Sequence, residues 1–285
     1  MYTQEISRQN PACFLFLLDQ SYSMIEPLGG NAELRKCDQL AQAINGWLQN
    51  MIIKASGESG VKDWMHVGVI GYRTDDQGNP IIQSCLQGPL NDRPLVPISE
   101  INANPLRIDT LTQKMYDDET GELTEFPVQM PVWVDATAEG GTPMCSVLHY
   151  AYQVFEYWIG DHMGSFPPIL VHITDGESTE GDPIPYATAI QSLATNDGNA
   201  LILNCHLSMT AADPLLFPSS AEVMPEELAR VLFQMSSVLP EPMYNRAVQE
   251  GFALQPNARA MVFNADIVSL LQFLDMGTRV AKNLR

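Results

Sequence analysis

Basic side chains are scarce in this sequence of 285 residues. It contains 15 lysines and arginines against 34 aspartates and glutamates, which gives a formal net charge of −19 at pH 7. A protein with that charge repels phosphate backbones, so the composition argues against nucleic acid as a partner. The same negative charge attracts cations, and we expect it to favour cation binding.

Cysteines and long apolar runs are also scarce. The five cysteines lie far apart and form no Cys-x-x-Cys pair, which disfavours zinc ribbons and disulfide scaffolds and fits free thiols in a reducing cytosol. No stretch approaches the roughly 20 apolar residues of a membrane span. The first residues lack the basic and apolar segments of a signal peptide. We therefore expect a cytoplasmic protein with no membrane contact.

The first long apolar run ends in a group of oxygen-bearing side chains. Residues 14–18 are apolar and of strand length, Asp19 follows directly, and Ser21 and Ser23 come next. In open α/β sheets, ligands bind beyond the carboxyl ends of the strands. Carboxylate and hydroxyl oxygens suit hard divalent cations such as Mg²⁺. Taken alone, these three residues also suit a turn or a helix N-cap.

Two later stretches supply further groups of the same kind. Thr142 follows the glycine pair at 140–141, and Asp175 ends a second apolar run over residues 169–174. Thr142 is also suited to be a helix N-cap, with Pro143 at the first helical position. The two glycines indicate a close backbone approach, which a simple cap does not require.

Together these residues resemble the metal-ion-dependent adhesion site of the von Willebrand factor A (vWA) family. The matching positions are Asp19, Ser21, Ser23, Thr142 and Asp175. The resemblance covers most of the chain, less clearly residues 87–136 and 209–257. Bacterial cytosolic vWA proteins of the tellurite-resistance and stress-response type are the most similar members, because of the run at residues 262–266 before the closing helix.

The order of predicted elements indicates an α/β fold. Strand-like and helical patterns alternate, which predicts a doubly wound, mostly parallel central sheet with helices on both faces, Rossmann-like in layout. Residues 81–86 are predicted to form one antiparallel edge strand. We expect residues 1–285 to form a single vWA-like domain.

Two segments exceed a minimal vWA domain. Residues 87–136 are rich in proline and are predicted to contain a β-hairpin around a turn at 118–121. Long insertions of this kind are often functional, which favours a role in partner choice. The alternative is a family-specific decoration at the edge of the domain. Residues 209–257 are predicted to be irregular and helical, before a last strand and helix.

The resemblance implies a non-enzymatic, metal-dependent protein-interaction module. Asp19 and Asp175 carry two negative charges, which balance Mg²⁺ or Mn²⁺, while the three hydroxyls add ligands without charge. Mg²⁺ prefers six oxygens, so an acidic side chain of a partner can complete its shell. In relatives of the bacterial type, such proteins are associated with kinases and phosphatases in stress signalling.

Three other interpretations remain. The chain could be the vWA subunit of an ATP-driven assembly of the MoxR or chelatase type; because it has no Gly-x-x-x-x-Gly-Lys-Ser/Thr loop, the ATPase would be a separate protein. Asp19 could be the nucleophile of a metal-dependent phosphohydrolase, although Ser21 stands where haloacid-dehalogenase-like enzymes have a second Asp. Cys145 and His149 could form a nucleophilic pair at a helix N-terminus.

Overall fold

The computed structural model describes residues 2–29, 31–58, 60–116, 123–209, 213–225 and 227–278. In this part of the chain the α-helices are α1 (Lys36–Ala55), α2 (Ile98–Ala103), α3 (Met144–Asp161), α4 (Ile184–Ser192), α5 (Glu227–Met235), α6 (Glu241–Gln249) and α7 (Ile267–Thr278). Short 3₁₀ turns lie at Tyr22–Ile25, Gly88–Leu90 and Ala221–Val223.

The strands alternate with these helices over much of the chain. They are β1 (Ala12–Asp19), β2 (Pro27–Leu28), β3 (Asn31–Arg35), β4 (Ser56–Gly57), β5 (Gly60–Val61), β6 (Met65–Thr74), β7 (Pro80–Ser84), β8 (Val96–Pro97), β9 (Arg107–Tyr116), β10 (Leu123–Val132), β11 (Ile169–Thr174), β12 (Ala194–Thr195), β13 (Gly198–Asn199), β14 (Leu201–Leu207), β15 (Leu215–Leu216) and β16 (Met261–Ala265).

The central sheet is mostly parallel, as predicted. Its order is β15-β16-β14-β11-β1-β6-β7, and β8 pairs with β6 beside this path. The neighbours from β16 to β6 are parallel. Antiparallel strands lie at both edges of this path, whereas the sequence predicted only one. Strand β7 pairs antiparallel with β6, and the two-residue β15 pairs antiparallel with β16. A strand as short as β15 gives no periodic sequence signal.

Strand β1 is buried along its whole length, which explains its continuous apolar sequence. Phe14, Phe16 and Leu18 belong to one hydrophobic cluster, which also contains residues of α1 and α7. Leu15 and Leu17 belong to a second cluster, with residues of α3, α4 and α5. Helical residues therefore pack against both faces of the sheet at β1.

Helix α1 meets its face of the sheet through an aromatic contact. Trp47 lies edge-on to Phe14 and Phe16, with ring centroids 5.6 and 4.6 Å apart. Such edge-to-face contacts add to the stabilisation that comes from burying the ring area. The contact fixes α1 over the strand that ends at Asp19.

The segment at 87–136 contains α2 and the antiparallel pair β9–β10. Ile108 and Phe126, one on each strand, are 60% and 43% exposed. The turn predicted at 118–121 lies outside the described residues. The segment at 209–257 contains the edge strand β15 as well as α5 and α6.

Across the described part of the chain, no helix is long and apolar enough to cross a membrane.

Candidate metal-binding site

The site lies at the carboxyl end of β1, in the middle of the sheet. Strand β1 runs between β6 and β11 and is parallel to both. The register that pairs Leu18 with Ile173 sets Asp19 beside Thr174. From β1 the chain continues to β6 on one side and later reaches β11 on the other side. The carboxyl end of β1 is therefore a topological switch point, where open α/β sheets bind ligands.

Four of the five predicted residues are joined by short hydrogen bonds. Oδ1 of Asp19 accepts a hydrogen bond from the backbone N–H of Ser21 at 2.8 Å, and its Oδ2 accepts one from the Thr174 hydroxyl at 2.6 Å. The hydroxyls of Ser21 and Ser23 are 3.1 Å apart. The Ser23 hydroxyl donates to Oδ1 of Asp175 at 2.7 Å. Residues distant in sequence thus present their oxygens together.

Thr142 reaches the same place through a glycine that packs against β6. Gly140 has a φ of +68°, and a Cβ there would lie 2.1 Å from the carbonyl oxygen of Thr74, so only glycine fits. Two residues after Gly140, Thr142 comes close to Gly176. A Cβ added to Gly176 would lie 3.9 Å from the hydroxyl oxygen of Thr142 and 3.9 Å from that of Ser23, so both hydroxyls lie near the same glycine. The close backbone approach predicted from the glycine pair is present.

Lys36, which the sequence analysis missed, is part of the cluster. Its ammonium group lies 2.7 Å from Oδ2 of Asp175 and 3.2 Å from Oε2 of Glu26. A signal existed in the sequence, because Lys36 precedes Leu40 and Ile44 by four and eight residues and therefore heads the apolar stripe of α1. A lysine on a buried stripe needs a counter-charge.

Burial and like charge shape the electrostatics of the two carboxylates. Desolvation, and then the neighbouring charge of Asp175, raise the pKa of Asp19 to about 6, although hydrogen bonds from Ser21 and Thr174 oppose the shift. Asp19 and Asp175 remain the two charged residues among the five predicted ligands, but they are not the only charges at the site. Lys36 adds a positive charge that faces Asp175 directly.

A buried chain of polar side chains leads away from Asp19 across three strands. The Tyr72 hydroxyl lies 2.7 Å from Nε2 of His172, whose Nδ1 lies 2.9 Å from Oδ1 of Asn204. Asn204 in turn donates to the Ser236 hydroxyl at the end of α5. Burial lowers the pKa of His172 to about 4, so the ring is neutral at pH 7. These groups were missed because each lies alone in its sequence context.

The donor set is compatible with Mg²⁺ or Mn²⁺, which favour oxygen ligands. The oxygens would come from Asp19, Ser21, Ser23, Thr142 and Asp175. Within the described residues, no group of three or more His, Cys, Asp and Glu side chains is placed to hold a metal. A site with three hydroxyls and two carboxylates does not require such a group.

The alternative nucleophilic pair does not form. The Cys145 thiol lies 3.7 Å from the Ser178 hydroxyl and 3.8 Å from the carbonyl oxygen of Gly181, while the His149 ring contacts Gln153. Burial raises the pKa of the Cys145 thiol. A raised pKa reduces the thiolate fraction that nucleophilic chemistry needs.

Comparisons with known proteins add little to this geometry. No protein-family model matches the chain, and no curated protein matches it at a significant level. Among solved structures, the chain is similar to the three N-terminal domains of the type V pili tip protein Mfa5 from Porphyromonas gingivalis, with 13% sequence identity and a TM-score of 0.32. The match covers 59% of this chain and 20% of that one. A likeness of this extent does not indicate a shared fold or function.

Proposed function

We propose that the chain is a non-enzymatic, divalent-metal-dependent protein-interaction module of the vWA type. Asp19, Ser21, Ser23, Thr142 and Asp175 would hold Mg²⁺, with Mn²⁺ as the alternative. The bound metal would supply a Lewis-acidic position that takes up a carboxylate from a partner protein. The protein's own residues fix these oxygens at the carboxyl end of the central strands and keep the carboxylates of Asp19 and Asp175 out of solvent.

One observation carries this proposal. Three segments far apart in sequence, which follow β1, precede α3 and follow β11, bring hydroxyl and carboxylate oxygens into one neighbourhood around Gly176. The hydrogen bond between Ser23 and Asp175 joins residues 152 positions apart. We also propose the doubly wound vWA arrangement, which the mostly parallel order of the sheet supports.

The surroundings of Asp19 support a binding role rather than catalysis. Its two carboxylate oxygens accept hydrogen bonds from Ser21 and Thr174, and the residue is 1% exposed. A nucleophilic carboxylate needs a free oxygen in line with its substrate. The hydrogen-bonded, enclosed carboxylate suits a fixed metal ligand better.

The partner and compartment follow from the resemblance and the composition. We propose a cytoplasmic role in bacterial stress or signalling complexes, with a kinase, a phosphatase or an ATPase as partner. The five cysteines are free, which supports a reducing compartment. The net charge of −19 supports a protein partner rather than a nucleic acid.

The test is an affinity capture of partners from bacterial lysate in Mg²⁺ and in EDTA. Wild-type protein is compared with Thr142→Ala, and the matched control is Thr195→Ala, a similarly buried threonine at the end of β12. A protein retained only by wild type and the control, and only in Mg²⁺, supports metal bridging. Equal retention by every bait in both buffers would disprove it. Capture of an ATPase would favour the ATP-driven assembly.

A further inference from the structure

Lys36 is a buried cation at the edge of the proposed metal site. Its side chain is 3% exposed and that of Asp175 is 0% exposed, and their charged groups are 2.7 Å apart. Glu26, with a side chain 43% exposed, lies on the outer side of the same ammonium group. Lys36 is therefore held between a buried carboxylate and one at the surface.

The local structure fixes this lysine to the segment that carries Ser23. The backbone N–H of Lys36 donates to the carbonyl oxygen of Glu26 at 2.9 Å, and Glu26 lies three residues after Ser23. Lys36 is the first residue of α1. A positive charge is unfavourable at a helix N-terminus, because the helix dipole is positive there. The position of Lys36 therefore does not serve the helix, and its contact with Asp175 is the feature that accounts for it.

The charge balance of the buried cluster depends on Lys36. Asp19 and Asp175 contribute −2 and Lys36 contributes +1, so the three buried groups together carry −1. Glu26 adds a further negative charge, but its side chain is 43% exposed, so solvent screens it. A divalent cation would bring this total to +1, whereas without the lysine it would bring it to 0. In a buried site such an excess is strongly unfavourable unless an anion compensates it.

We infer that Lys36 is a tethered cation that weakens binding of the divalent metal alone and makes it dependent on simultaneous binding of a carboxylate. This inference rests on the proposed function and assigns Lys36 a role in it. The metal-free cluster is stabilised by the ammonium group, which neutralises Asp175. The metal-loaded cluster carries the positive excess that selects an acidic side chain of a partner. Metal and carboxylate binding are then linked, so that each strengthens the other.

The experiment is a calorimetric titration of Mg²⁺ into wild type, Lys36→Met and Lys36→Gln, each with and without acetate as the carboxylate probe. We expect both neutral variants to bind Mg²⁺ about tenfold more tightly than wild type in the absence of acetate. We expect acetate to tighten Mg²⁺ binding by wild type and to have a smaller effect on the variants. Circular dichroism verifies that each variant is folded.

Two controls separate this inference from the proposed function. Lys36→Arg retains the charge, so its Mg²⁺ affinity should stay near that of wild type, and this arm remains informative if the neutral variants do not fold. Lys62→Met removes a lysine that lies over the Trp64 ring, next to the amino end of β1, and should have no effect. If neither wild type nor any folded variant binds Mg²⁺, with or without acetate, the proposed function itself fails. If all variants bind Mg²⁺ with the same affinity and the same response to acetate, only the role of Lys36 is overturned. Looser Mg²⁺ binding by folded neutral variants, or a large change in Lys36→Arg, would also overturn it.

Discussion

The hydroxyl of Tyr72 lies 2.7 Å from Nε2 of His172, deep in the layer between the sheet and its covering helices. Because Nδ1 of His172 faces the side-chain oxygen of Asn204, that nitrogen carries the proton and Nε2 accepts from the tyrosine. Protonation of Nε2 would force the tyrosine hydroxyl to turn its proton away and would leave a charged ring buried. The neutral ring is therefore part of the folded structure.

The first prediction is that acid destabilises the protein through His172. Burial lowers its pKa from 6.5 to about 4, so between these values the unfolded chain binds a proton that the folded chain does not. The free energy of unfolding should therefore fall as the pH drops from about 6.5 to 4, by up to about 3 kcal/mol from this residue. Urea denaturation at several pH values measures the slope.

The variant His172→Gln should be less stable at pH 7, because it disturbs the buried hydrogen bonds, but should show a shallower slope. Part of the slope should remain, since burial also lowers the pKa of His206 to about 4. His149→Gln, at an exposed position of α3, is the control and should keep the wild-type slope. An unchanged slope in His172→Gln would contradict the assignment.

The second prediction concerns Gly140. Its φ of +68°, and the 2.1 Å that would separate an added Cβ from the Thr74 carbonyl oxygen, make alanine doubly unfavourable. Gly140→Ala should lower the free energy of unfolding by about 2–4 kcal/mol and weaken Mg²⁺ binding, because Thr142 must move. Gly78→Ala is the matched control: its φ is +84°, but no atom lies within 4 Å of the added carbon. It should lose only about 1 kcal/mol and bind metal normally. Equal losses in the two variants would argue against the steric explanation.

The third prediction separates stability from metal binding at Asp19. Asp19→Asn removes one of two neighbouring buried negative charges, so the metal-free protein should become more stable, by about 1 kcal/mol. Mg²⁺ should raise the thermal midpoint of wild type but not that of the variant, because a ligand stabilises only the state that binds it. Asp92→Asn changes an exposed carboxylate and should retain the response to Mg²⁺. A variant that still responds to Mg²⁺ would remove Asp19 from the site.

The fourth prediction concerns the antiparallel pair β9–β10. Ile108→Ser and Phe126→Ser change exposed side chains, so each should alter the free energy of unfolding by no more than about 0.5 kcal/mol. If the pair shapes partner choice, the proteins captured from lysate should change while Mg²⁺ affinity stays the same. An identical set of captured proteins would leave the pair as a structural decoration.

Features with a local signature could be predicted from the sequence. The apolar run before Asp19 and the alternation of strands with helices indicated the mixed α/β fold and the mostly parallel sheet. Gly140 and Gly141 indicated a close backbone approach, and the structure has one. Each of these signals lies within a few neighbouring residues, where turn chemistry and periodicity act.

Features that depend on contacts between distant residues could not be predicted in this way. Lys36 and Asp175 are 139 positions apart, so the sequence gives no direct sign that they form an ion pair. The two-residue strand β15 exists only because β16 offers it an edge to pair with. In both cases tertiary packing decides the structure, and local propensity does not.

The order of the site residues along the chain has a consequence for protein synthesis. Ser21 and Ser23 leave the ribosome early, whereas Asp175, which the Ser23 hydroxyl contacts, is made 152 residues later. A nascent chain that has not reached Asp175 cannot assemble the proposed centre, so a metal ion bound there cannot act as a template for the folding of the residues made before it. A chain that has assembled the proposed centre has therefore already placed β11 beside β1.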